Sequence, residues 1–260
     1  MYESNVLCWR EAPMTDNTDS LQESSTDTLD QTIVDALNEY TTPLSAVTPA
    51  TDHNDLTSLP DKLADTRVVA LGEATHGTRE FFQLKHRFLR YLVSECGLRL
   101  IAFEANFPEA LAINEYIVHG TGDPASALEE VYFWTWQVES MRALLEWLQE
   151  FNRDRPLADR VRFHGIDSQF TQGAVDALRD YFATVDPAYL ESLTPELDAI
   201  ADGGVPLEQA DNPEILLADL DDLVPKLRDR LTAKQQEYVQ ATSDRAWERA
   251  RQHVRILSQA

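Results

Sequence analysis

The sequence predicts an α/β fold, a parallel-type central sheet flanked by helices, with a helical subdomain after it. Three observations carry that expectation. Residues Arg67–Leu111 read as strand, polar turn, helix, turn, strand. A further short strand, Val161–Phe163, runs into a polar turn after two amphipathic stretches. From Asp186 onward the strand signals stop and only helical spacing remains. The expected partition is therefore a disordered tail over 1–28, an α/β core over 29–185 and a helical subdomain over 186–260.

Taken in order, the tail is rich in Ser, Thr, Asp and Asn and has little to bury. Leu29–Leu44 has helical spacing at Ile33, Val34, Leu37 and Tyr40, and Leu56–Ala64 reads as a short helix. Val68–Leu71 is a short apolar run with β-branched residues, the pattern of a buried parallel strand. Thr78 is placed to cap the next helix, with Glu80 in its first turn. Gly97 ends that helix and Leu98–Phe103 supplies the second strand. Helices follow at Glu109–Val118, behind a proline, and at Met141–Phe151, with the aromatic run Tyr132–Trp136 between them. Gly173–Phe182 follows the third strand. Leu190–Ile200, Pro213–Val224 and Ala233–Ser258 complete the helical region, punctuated by Gly203-Gly204 and Pro225.

Composition narrows the function classes. The 260 residues carry 45 acidic and 22 basic side chains, a formal net charge of −23. Nucleic acid and anionic membranes would be repelled, so neither is an expected partner. The acid is spread along the chain, as on the surface of a halophilic protein working in concentrated salt. Two cysteines, Cys8 and Cys96, form no disulfide framework or metal pattern, and there is no signal-peptide core or membrane-length apolar run. A cytoplasmic location is expected. No metal or other cofactor is expected.

Strands joined by one helix run parallel, so Glu73, His76 and Glu104 should meet at the carboxyl edge of the sheet. Lys85 falls on the apolar stripe Phe81, Phe88, Leu92 of the intervening helix, where its charge needs an anionic partner. Helical side chains lean toward the N-terminus, which aims its ammonium at those carboxylates. His76 beside carboxylates suits general-base chemistry near neutral pH, and a capping histidine in a turn is the plainer alternative. Gly72 and Gly77 have phosphate-loop spacing, but the lysine of that motif is missing and Glu73 would sit in an anion cradle. His164 and Asp167 end the third strand, and Trp134 and Trp136 lie near the strand ends in order. Core packing is the commoner use of such tryptophans, and a place on the rim of the site is the alternative.

The segments GEATHGTREFFQLKHRFLRYL, FEANFPEA, YFWTW and FHGID, spanning about residues 67–170, together resemble the erythromycin esterase family. The resemblance implies an α/β sheet with a helical subdomain, and hydrolysis of a small-molecule ester or lactone by activated water without a covalent intermediate. It further implies a part in the response to antibiotics. It makes His76 the general base, Glu73 and Glu104 its supporting carboxylates, and Lys85 a catalytic cation standing where the macrolide esterases have arginine. Trp136, Phe107, His164 and Asp167 become the candidate substrate-binding residues. The family places further active-site histidines later than this sequence reaches, so the resemblance implies an N-terminal portion of a longer protein with little activity of its own. A non-catalytic module binding a small ligand or metal in the same cleft is the alternative.

Overall fold

A computed structural model describes residues 23–201, 205, 206, 209 and 211–260. The chain divides into two compact units, Met1–Ser45 and Ala46–Ala260. The first contributes one described helix, α1 (Glu23–Tyr40), which begins inside the stretch expected to be disordered. Residues 1–22 of that expected tail lie outside the described residues, and so do Cys8 and Gly203-Gly204.

The second unit opens with a 3-10 turn, Asn54–Leu56, and a short helix α2 (Leu59–Leu63). Next come α3 (Arg79–Glu95), strand β1 (Leu100–Asn106), α4 (Phe107–His119), α5 (Pro124–Glu129), α6 (Glu139–Asn152) and strand β2 (Arg162–Asp167). β1 and β2 pair in parallel, Ile101 opposite Phe163 and Asn106 opposite Asp167. The pairing slips between Phe103 and Asn106, so β1 carries an extra residue there, and its strict in–out alternation ends at the buried pair Ala105 and Asn106. Gly165 is required at this crossing, because a Cβ on it would lie 2.3 Å from the Ala105 carbonyl oxygen.

The described sheet has these two strands, and the expected strand over Arg67–Leu71 is not among them. Residues 68–73 pair with no strand among the described residues, and Val68 is 82% exposed. The apolar pattern was real but reports only β-propensity, which depends on a neighbouring strand to become structure. Leu71 still packs on the core and so brings the following turn against α3.

The inner face of the sheet, Ile101, Phe103 and Phe163, packs on α4 and α6 and on Phe82, Leu89 and Val93 of α3. These α3 residues, not Phe81 and Phe88, are its deepest apolar contacts, and His86 and Arg87 are buried beside them. Asn152 pins the strand ends to the helices: its Nδ2 donates to the carbonyls of Ile117 and Val161, each 2.8 Å, and its Oδ1 accepts from the Val161 amide at 2.8 Å. Arg87, fully buried, donates to the carbonyls of Ala46 and Asp52 and pairs with Asp55 at 2.5 Å, fastening the entry loop to α3.

A second core is wholly helical. It joins α7 (Gln172–Val185), α8 (Pro187–Ile200), α9 (Pro213–Ala233), α10 (Gln235–Ala241) and α11 (Asp244–Leu257) through Leu178, Leu197, Leu227, Trp247 and Val254. This helical layer thus takes in α7 as well as the region after 186. Pro225 does not end α9: it sits inside the helix. Both Pro225 and Asp221, whose carbonyl loses its amide partner to the proline, are exposed residues. The single helix expected over Ala233–Ser258 is broken at Thr242–Ser243, where the Ser243 hydroxyl accepts from the Ala246 amide and starts α11. No described helix is long and apolar enough to cross a membrane.

Candidate active site

Glu73 stands after the unpaired stretch, and side chains rather than a ladder hold it. Its Oε2 accepts from Lys85 Nζ at 2.6 Å and its Oε1 bonds His76 Nδ1 at 2.6 Å. Glu73 and Lys85 are nearly buried, with side chains 9% and 13% exposed, whereas His76 is 63% exposed. Burial pushes the Glu73 carboxyl upward, but the hydrogen bonds from Lys85 and His76 outweigh it and hold it below its ordinary value. The carboxylate is thus charged at neutral pH with both oxygens engaged.

The local backbone explains how the histidine reaches water. Gly77 has φ +76°, a left-handed conformation that turns the chain from His76 into α3. Thr78 precedes α3 in extended geometry and its hydroxyl pairs with that of Thr75, which stiffens the turn from both sides. Lys85 lies in the second turn of α3 and reaches back to the turn, as its helical lean requires. Its ammonium also lies 5.7 Å from the Phe82 ring.

Glu104 reaches the site region from a different element, the strand β1. It is exposed on the open face of β1, just before the slip in pairing, and the described ion pairs include none between it and Lys85. Asp167 ends β2 opposite Asn106, so the two parallel strands do finish at one edge. Its carboxylate accepts from the Ser168 amide and from Gln169 Nε2, both at 2.7 Å, an arrangement that closes its own turn. His164 stacks on Phe107 with ring centres 6.3 Å apart, and Phe107 also meets His253 at 5.7 Å. Burial, then Arg162, Arg249 and Arg245, hold the His164 imidazole below its ordinary value. Trp136 is buried in the sheet core against Phe82 and Phe103.

One residue had no sequence signal and another was singled out without a direction. His253, on α11, is buried beside Phe107 with its Nδ1 lacking a partner, and burial followed by Arg249 lowers its pKa to about 4. Trp134, two residues before buried Trp136, is instead 66% exposed and rests on Gly77. Helical or strand periodicity cannot orient a residue in such a loop. Among the described residues no three His, Cys, Asp or Glu side chains gather as a metal site.

Residues 93–260 match the erythromycin esterase family. An erythromycin esterase type II of Escherichia coli is 33% identical over 145 residues, 53% of this chain and 33% of that protein. A crystal structure of a Bacillus cereus protein superposes with a TM-score of 0.71 at 25% identity, over 88% of this chain and 55% of the other. An erythromycin esterase mutant in its open conformation gives a TM-score of 0.57 at 18% identity, over 81% and 53% of the two chains, a likeness of fold. The chain spans about a third of the length of the curated relatives it matches.

Proposed function

The chain belongs to the erythromycin esterase family, and from that premise we propose that it is a hydrolase in which His76 activates a water molecule to attack an ester or lactone carbonyl. The observation that carries this reading is the bridging carboxylate of Glu73, hydrogen-bonded to Lys85 on one oxygen and to His76 on the other. With Nδ1–H donated to Glu73, the lone pair of His76 sits on Nε2, on an exposed ring that water can approach. Nε2 takes a proton as the water oxygen bonds to the carbonyl carbon. The imidazolium, stabilised by Glu73, returns that proton to the leaving alkoxide as the C–O bond breaks. Lys85 keeps Glu73 charged and fixed, so it is a positioning residue in this scheme. Glu104, exposed on β1, is the second supporting carboxylate of the proposed site. Phe107, His164 and Asp167 provide a mixed apolar and polar margin at the strand ends.

The name of the Escherichia coli relative makes macrolactones the first substrates to try, and with them a contribution to antibiotic response. The test is acid release from a panel of simple esters and macrolactones. His76→Ala should lower turnover by about 10²–10⁴-fold, and a chelator should leave it unchanged. Turnover that survives His76→Ala would dismiss the histidine as base. Saturable binding without turnover would assign a ligand-binding module instead.

A further inference from the structure

The loop between α5 and α6 holds three consecutive aromatics and a fourth two positions on, and their surroundings differ sharply. Tyr132 and Phe133 pack on Phe170 with ring centres 4.8 and 5.3 Å away. Trp136 is buried in the sheet core between Phe82 and Phe103. Trp134, between these two anchors, stays 66% exposed. The backbone is tied down around it: the Trp136 amide donates to the Phe133 carbonyl and the Gln137 amide to that of Trp134, both at 3.1 Å. Tyr132 adopts φ +63°, a left-handed conformation unfavourable for a residue with a side chain, and such strain survives where the surroundings impose it.

The indole is not loose. A Cβ placed on Gly77 would come within 2.9 Å of its Cη2 and Cζ3, so one edge of the ring lies on the turn that presents His76. Glycine at 77 therefore serves the left-handed turn and the seat of the tryptophan together. A large apolar ring exposed to water beside the candidate base is suited to stacking, because an indole contributes much contact area at little entropic cost when another ring covers it.

We infer that Trp134 is the specificity-determining wall of the site, and that it receives the apolar ring face of an ester or lactone substrate. The assignment rests on the hydrolase reading above for its kinetic consequence, though not for binding. The kinetic test compares cyclohexyl acetate with ethyl acetate, by proton release, in wild type, Trp134→Ala and Trp134→Phe. The ratio of kcat/KM for the cyclic over the linear ester should fall about tenfold in Trp134→Ala, through KM, and Trp134→Phe should restore most of it. An unchanged ratio overturns the assignment. The binding test titrates cyclohexyl methyl ketone, which cannot be hydrolysed, and follows indole fluorescence. A saturable change in wild type that vanishes in Trp134→Phe is expected, and no Trp134-dependent change overturns the assignment. If wild type hydrolyses neither ester, the hydrolase reading fails and the titration alone decides the wall. Thermal melting of the variants checks that this exposed position has not disturbed the fold.

Discussion

At residue scale, the charge state of Glu73 governs the site. Its carboxyl is held below the ordinary 4.5 by Lys85 and His76, against the opposing effect of burial. A depressed acid stabilises the fold above its unfolded pKa, and that contribution is lost as pH falls through the folded one. Lys85→Met removes the donor to Oε2, so the acid limbs of both turnover and melting temperature should move to higher pH. Unmoved limbs would show that the ammonium does not hold the carboxylate. His86 and His253 act in the same pH direction for another reason. Burial, then Arg90 and Arg249 respectively, lowers each from 6.5 to about 4. Below pH 6.5 the unfolded chain binds protons that the folded chain refuses, so this stability is complete above 6.5 and lost down to about 4. His253→Phe should therefore shrink the loss between pH 7 and 5 by roughly 2 kcal/mol, read from urea unfolding at both values; an equal loss in wild type and variant would refute it. The Glu73–Lys85 contact was legible in the sequence because a lysine on an apolar stripe demands an anion and helical lean sets its direction. The buried histidines were not, since a histidine in a mixed helix looks the same whether it meets core or water. Trp134 was half legible, flagged by its neighbours yet left unoriented.

At element scale, the helices were legible because their apolar spacing matched faces that are buried, most clearly in α6 and α11. Their ends were less so: Pro225 sits inside α9 at an exposed position, and the break before α11 depends on the cap at Ser243. β1 and β2 appeared where expected and in parallel. The stretch before Gly72 did not become a strand, because a strand is a property of two segments and the pattern described only one. The element that most depends on a single contact is the entry loop. Arg87 is buried on α3 and its charge is met by Asp55 and by two carbonyls. Asp55→Ala leaves that guanidinium without its counter-charge, and the expected loss is about 3 kcal/mol, measured by denaturant unfolding. A change under about 1 kcal/mol would mean that the carbonyls suffice.

At the scale of the whole molecule, the net charge of −23 is the dominant long-range effect. Like charges distributed over a folded chain oppose folding, and salt shortens their range to about 3 Å at 1 M. Melting temperature should rise steadily from dilute buffer to molar potassium chloride in the otherwise unchanged protein; a flat response would show that local pairs already cancel the field. The unpaired stretch from Val68 to Gly72 has a different consequence, one of time. Its amides donate none of the described backbone hydrogen bonds, while those of β1 and β2 are locked together. They would exchange their hydrogens with solvent almost as fast as an open peptide, and the strand amides only when the sheet opens. The stretch that leads into Glu73 and His76 thus keeps a faster clock than the two paired strands.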